Sequence, residues 1–185
     1  MSMNKDRDKE DGPSFWVKRF AALIKTGGTV LDLACGSGRH ARFLADLGYR
    51  VEAVDRNADA LAGLSRDRPQ VVTRVADLEG GPWPYYGRVF DAIVVTNYLY
   101  RPLLPLLLNA LEVDGVLIYE TFMLGNERFG KPSNPAFLLR PGELLEVARR
   151  HLNIVAFEQG DTASPRPMKV QRLCATRRLD WVLPS

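Results

Sequence analysis

Thr29-Val30-Leu31-Asp32-Leu33-Ala34-Cys35-Gly36-Ser37-Gly38-Arg39-His40 is the stretch on which the fold turns. Its first five residues are β-branched or apolar apart from one acid, the pattern of a strand buried on both faces. Cys35-Gly36-Ser37-Gly38 then breaks that pattern with small residues and two glycines, which is turn chemistry. Ala41, Phe43, Leu44 and Leu47 recur at helical spacing until Gly48 stops the run. Strand, glycine turn and helix together open a βαβ unit.

Working outward, the alternation continues. Tyr49–Val54 reads as a second strand, closed by Asp55, and Ala58–Arg66 as a helix capped by Asn57. Val71–Val75 reads as a strand ending near Asp77. A loop over 80–87 carries Trp83, Pro84, Tyr85 and Tyr86 and is read as packing on the sheet rather than as a base-stacking platform. Phe90–Thr96 is a continuous apolar strand, Leu103–Leu111 a leucine-rich helix with Pro102 and Pro105 in its first turn, and Val116–Thr121 another strand. Upstream, Ser14 caps a helix that carries Trp16, Phe20, Leu23 and Ile24 on one face and ends at Gly27 and Gly28. Downstream, Pro141–His151 reads as a helix with Pro141 at its first position. Asn153–Phe157 and Val170–Thr176 are strands with no helix between them.

Strands separated by helices require a parallel sheet with helices on both faces. The final hairpin reverses one strand. The expected fold is therefore a Rossmann-like three-layer α/β/α sandwich, with a mostly parallel seven-stranded sheet and one antiparallel strand near the C-terminus. Residues 1–12 are polar and read as a flexible tail, and residues 13–185 as a single domain.

Composition narrows the function classes. Of 185 residues 46% are hydrophobic and 25% charged, as in an ordinary globular domain. The net charge of +3 falls entirely after residue 138, too weak a surplus to mark a nucleic-acid face. Cys35 and Cys174 stand alone, without disulfide or metal-type spacing. No apolar run approaches ~18 residues and Met1–Pro13 has no apolar signal core. A reduced, cytoplasmic setting is expected, with no membrane, no metal and no feature bearing on oligomeric state.

In an open parallel sheet, ligands bind beyond the C-terminal strand ends, and the first strand-to-helix turn is the usual place. Gly36 and Gly38, with Ala41 at the third place, leave a dinucleotide pattern open by spacing. Asp32 argues against it, because a carboxylate just ahead of the turn is poorly matched to a pyrophosphate. It suits a ligand with an ammonium and a sulfonium, as S-adenosylmethionine has.

With that, Val30-Leu31-Asp32-Leu33-Ala34-Cys35-Gly36-Ser37-Gly38 resembles the first motif of the class I S-adenosylmethionine-dependent methyltransferases, an acid followed by G-x-G-x-G. Ala34 replaces the first glycine, a departure read as mild because alanine is nearly as small. The resemblance covers Thr29 to Thr121 and the reversed last strand. Its compact form is similar to the tellurite-resistance and thiopurine methyltransferase branch. The resemblance implies S-adenosylmethionine as methyl donor and S-adenosylhomocysteine as product. It implies a cofactor site of Asp32, Ala34, Cys35, Gly36, Ser37, Gly38, His40, Asp55, Arg56, Asn57, Asp77, Leu78, Asn97 and Tyr98. Asp55 would hold the ribose hydroxyls, and Asp77 with the Leu78 amide the adenine. Thr96-Asn97-Tyr98-Leu99-Tyr100-Arg101 follows the fourth strand, where such enzymes meet the methionine end and the acceptor. It lacks both prolines of the N-P-P-Y motif, which argues against adenine and glutamine acceptors.

Methyl transfer needs in-line positioning and exclusion of water more than it needs a base. Tyr98, Tyr100 and His40 are the candidate catalytic residues. Trp16, Asn126, Arg128 and Phe129 are candidate substrate contacts, with Phe137 beside them. The last four lie in a Met123–Arg140 segment of little regular pattern, read as a substrate cover. A small-molecule acceptor is expected. An RNA or protein methyltransferase, a non-catalytic module binding the nucleoside and a nicotinamide-dependent oxidoreductase are the alternatives.

Overall fold

The structure is a computed structural model that describes residues 12–184. The tail expected over residues 1–12 lies, apart from Gly12, outside the described residues. Seven strands form one sheet in the order β3-β2-β1-β4-β5-β7-β6. They are β1 (Thr29–Leu33), β2 (Arg50–Asp55), β3 (Val72–Val75), β4 (Phe90–Thr96), β5 (Leu111–Phe122), β6 (Asn153–Thr162) and β7 (Met168–Thr176). Strands β1 to β5 pair in parallel. β7 runs antiparallel to both of its neighbours, so it is the single reversed strand that the sequence predicts.

Alternation along the central strands decides which helix covers which face. On one face Val30 and Val94 are buried with Val17 and Phe20 of α1 (Phe15–Phe20), Ala41 and Leu44 of α2 (Arg39–Asp46) and Leu61 and Leu64 of α3 (Ala58–Asp67). On the other, Leu31, Leu33, Ile93 and Val95 meet Leu107 and Leu108 of α4 (Leu104–Asn109) and Leu144 and Ala148 of α5 (Glu143–Ala148). Each such side chain contributes roughly 1.5–3 kcal/mol on leaving water. Trp83 and Tyr85 join the second core with rings 5.3 Å apart, so their loop packs on the sheet as expected, while Tyr86 stays exposed.

Several boundaries move, each for a local reason. Ser14 caps α1 through its Oγ, 3.1 Å from the Trp16 amide, but α1 gives way to a 3₁₀ turn over Ala21–Leu23. Ile24 is already extended there, so Gly27 and Gly28 do not end the helix. The leucine run starts as a 3₁₀ turn over Arg101–Leu103 and stops at Asn109, because Leu111 enters β5 opposite Phe90. Pro141 is not the first residue of α5. Gly142, at φ +73°, caps the helix instead, and the helix ends at Ala148 rather than His151. The final hairpin is longer than expected, because Glu158 to Thr162 pairs with Arg172 to Met168.

Candidate functional site

The strand ends of β1, β2 and β3 are stepped along one edge of the sheet. Leu33 is level with Val54 and Asp55 with Val75, so Asp32, Asp55 and Asp77 mark the ends of successive strands. The turn after β1 is tied to this edge. The Cys35 amide donates to the Val54 carbonyl (3.0 Å) and the Gly36 amide to Asp55 Oδ2 (2.9 Å).

Two positions in that turn constrain side chains strictly. Gly38 caps α2 at φ +81°, and a Cβ there would meet Leu64 Cδ2 at 2.6 Å. Ala34 also sits in the left-handed region, at φ +52°. This corrects the reason given for its mildness. Size is not what a glycine supplies there; freedom of φ is, and the alanine holds about 1–2 kcal/mol of strain.

Asp32 is 1% exposed, and among the described residues no donor stands in ordinary hydrogen-bond geometry to either carboxylate oxygen, the Ala41 amide being the one backbone group that bears on it. Burial pushes its pKa up to about 7, while the Ala41 amide and Arg39 pull it down and Asp55 adds to the rise. A buried acid without a partner is costly, and a ligand cation is what relieves it. The Ser37 Oγ in the same turn is likewise buried and unpartnered. This donor set fits a cationic amino-acid arm.

Asp55 is half-buried. Besides the Gly36 amide it accepts the Asn57 amide on Oδ1 (2.8 Å), leaving lone pairs on both oxygens for hydroxyl donors. Asn57 caps α3 by accepting the Ala60 amide (3.2 Å), and Arg56 is exposed. Asp77 is exposed, and the amides of Glu79 and Gly80 hold its carboxyl below the ordinary range, with Arg56 adding to the effect. Leu78 behind it is buried.

The loop after β4 closes the edge. Asn97 is exposed at φ +55°, and its amide donates to the Glu120 carbonyl (2.9 Å). The Tyr98 hydroxyl is buried. Burial first, then Glu79, Asp77 and Tyr100, raise its pKa, so Tyr98 remains a protonated phenol and is not a base. The Tyr100 hydroxyl donates to the Glu79 carbonyl (3.2 Å), which packs the Asp77 turn against this loop.

His40 does not stand free to act. Its Nε2 accepts the Ser14 amide (3.1 Å), and Nδ1 lies 3.2 Å from Thr96 Oγ1. Because Nε2 accepts, the neutral ring carries its proton on Nδ1 and donates it to Thr96. Burial lowers the pKa to about 3. The expectation of a catalytic or cofactor-facing His40 is corrected to a clamp that joins the start of α1 to the end of β4. Cys35 and Cys174 are buried free thiols whose pKa burial raises, so neither is reactive.

Two expected substrate contacts are also corrected. Trp16 is 0% exposed in the core under α1. Asn126 is 1% exposed, and its amide is spent on the loop itself: Nδ2 donates to the Pro132 carbonyl (3.2 Å), and Oδ1 accepts the Lys169 amide (3.0 Å). Arg128 pairs with Asp161 and lies 4.6 Å above the Phe129 ring. Phe129 and Phe137 are exposed. Sequence reasoning missed the ion pair between Arg101 and the buried Glu143 (2.6 Å), and that between Arg172 and the buried Glu120. A lone acid inside the apolar run Val116–Thr121 was the available signal for Glu120. Among the described residues no cluster of three or more metal-ligating side chains occurs, and no helix is long and apolar enough to cross a membrane.

The edge just described coincides with a family match. The family described as "Methyltransferase domain" matches residues 30–112, which contain Asp32, the glycine turn, Asp55, Asp77 and the loop after β4. The match takes in a little under half of the chain. Among solved structures, TehB from Haemophilus influenzae has a TM-score of 0.74 at 22% identity, over 88% of this chain and 61% of that one. A TehB-like SAM-dependent methyltransferase from Corynebacterium glutamicum has a TM-score of 0.66 at 21% identity, over 93% of this chain and 92% of the other. Both likenesses are of fold. A dTDP-3-amino-3,6-dideoxy-alpha-D-glucopyranose N,N-dimethyltransferase from Streptomyces fradiae is 36% identical over 77 residues. That match takes in 40% of this chain and 29% of the relative, so the likeness spans under a third of that enzyme's length.

Proposed function

We propose that this chain transfers the methyl group of S-adenosylmethionine to a small-molecule acceptor. One observation carries the reading: Asp32 is a buried carboxylate with no well-formed hydrogen bond among the described residues, beside a glycine turn and one strand from a second acid. A sheet edge so arranged favours a ligand with a cationic arm and vicinal hydroxyls over a pyrophosphate.

Bound S-adenosylmethionine supplies a methyl group already activated by the sulfonium. The chain's residues bind and orient. Asp32 meets the ammonium, Ser37 offers its hydroxyl, Asp55 accepts from the ribose hydroxyls, and Asp77 with the Leu78 amide borders the adenine. Tyr98 and Tyr100 wall the acceptor side, where ring faces attract a sulfonium by ~0.5–2 kcal/mol. Tyr98 on the acceptor side stays protonated and is not a base, so the reading favours an acceptor that arrives with a lone pair, such as an unprotonated amine. The sugar-amine acceptor in the Streptomyces relative's name fits that chemistry. The reading assigns no metal, and two buried free thiols suit the cytoplasm.

Calorimetric titration with S-adenosylmethionine, S-adenosylhomocysteine and NAD tests the donor. Both adenosyl ligands should bind, and NAD should not. Tight NAD binding with neither adenosyl ligand bound refutes the reading. A screen of small amines, reading out S-adenosylhomocysteine release, then identifies the acceptor; binding without any turnover favours the non-catalytic module.

A further inference from the structure

Arg101 lies three residues after Tyr98, and its guanidinium reaches two separate pieces of chain. Nε donates to Glu143 Oε1 (2.6 Å) and Nη2 to Glu143 Oε2 (2.9 Å), a bidentate pair. Nη1 donates to the Ala136 carbonyl (2.8 Å) and Nη2 also to the Leu138 carbonyl (2.9 Å). Glu143 is 4% exposed and accepts the Arg140 amide on Oε2 as well (2.8 Å). Burial raises the Glu143 pKa, but Arg101 and the Arg140 amide outweigh it, so the carboxyl stays ionised.

The two carbonyls flank Phe137 in the 3₁₀ turn Pro135–Phe137. Holding both of them inward leaves the Phe137 ring exposed between them. The far end of the same segment is fixed independently, by Asn126 to the Lys169 amide (3.0 Å), and Leu139 is tied to the end of β5 by the Leu124 amide to its carbonyl (2.9 Å) and by its own amide to the Phe122 carbonyl (3.0 Å). Arg101 is thus the one described side chain that bonds this segment to the loop after β4. Asp32, Asp55 and Asp77 lie on other strands.

We propose that Arg101 is a positioning residue that holds residues 126–142 against the Tyr98–Tyr100 loop, setting acceptor capture while leaving donor binding unchanged. The proposal rests on the methyltransferase reading only for its second half. A planar fork is required, because Arg101 makes four bonds from three nitrogens set apart, and an ammonium offers three donors on one atom.

Hydrogen exchange and donor titration test it on the full chain. In Arg101→Met, the amides of residues 136–138 should exchange about tenfold faster or more, while those of β1 and β4 stay within about twofold. The affinity for S-adenosylmethionine should stay within about threefold of wild type. Arg101→Lys keeps the charge and a bond to Glu143, so it should melt near wild type yet still leave residues 136–138 exchanging fast. With an acceptor from the screen, KM should rise about tenfold and kcat change little.

Unchanged exchange at residues 136–138, equal acceleration throughout the sheet, full protection in Arg101→Lys or loss of donor affinity would each overturn the proposal. Failure of the wild-type chain to bind S-adenosylmethionine would instead overturn the proposed function, and the exchange data would still report on the clamp.

Discussion

Asp32→Asn should move stability and donor affinity in opposite directions. The side chains are nearly the same size, so packing is preserved while the charge is removed. In the ligand-free protein burial raises the Asp32 pKa from the ordinary carboxyl value of 3.8 to about 7. A raised acid is no burden below its unfolded pKa, and the burden is complete above its folded one. At ~1.36 kcal/mol per unit, ionisation costs the empty fold up to about 4 kcal/mol at pH 8, shrinking to about 1 kcal/mol at pH 4.5. Urea unfolding should therefore show Asp32→Asn more stable than wild type at pH 8, with most of the gain gone at pH 4.5.

Donor binding should respond the other way. A charge-assisted hydrogen bond contributes about 1.5–3 kcal/mol, so S-adenosylmethionine should bind about 10- to 150-fold more weakly to the variant. Methylthioadenosine has no amino-acid arm and should bind the two proteins alike. In the wild type, S-adenosylmethionine should bind about eightfold more weakly at pH 6 than at pH 7.5, since the donor selects the ionised carboxylate. Calorimetry measures all three. A variant that is less stable at pH 8 and binds the donor normally would show that Asp32 only supports the turn, and the electrostatic argument would fail.

Gly38→Ala should destabilise the protein by about 2 kcal/mol or more in thermal unfolding, because the added Cβ meets Leu64 at 2.6 Å and the left-handed φ is strained. Ala34→Gly should do the reverse and stabilise by about 0.5–1 kcal/mol, the relief of strain at φ +52° exceeding the entropy glycine adds to the unfolded chain. His40 should show no NMR titration between pH 5 and 8. An unfolded chain takes up this proton near pH 6.5, and the folded ring refuses it until about pH 3. Its stabilising share is therefore full above pH 6.5 and declines as the pH falls. His40→Gln should flatten that decline in denaturation series.

The central strands were legible because their reasons are local. β1 and β4 have the expected bounds, since apolar runs flanked by turn residues leave no other register. Asp32, Asp55 and Asp77 were legible as acids at strand ends. What was not legible depends on pairings far apart in sequence. Nothing near His40 announces that residues 14 and 96 will occupy both ring nitrogens. Asn126 reads as a free polar side chain until β7 arrives beside it. Arg101 and Glu143 are 42 positions apart, and only the folded sheet brings them together. Pro141 failed as a helix start because the neighbouring glycine, with its freedom at positive φ, took the cap.

The family match ends at residue 112, two residues into β5, while β4 lies at the middle of the sheet. A fragment cut there would present Ala92, Ile93, Val94 and Val95, all 0% exposed in the full chain, along an open hydrogen-bonding rim. Such a rim takes whatever extended segment it meets, another copy's included. The nascent chain passes through this condition on the ribosome before its last strands emerge. In the full chain β5 covers that rim and β7 in turn covers β5, so truncation within the β6–β7 hairpin uncovers the apolar strand β5 and should yield inclusion bodies.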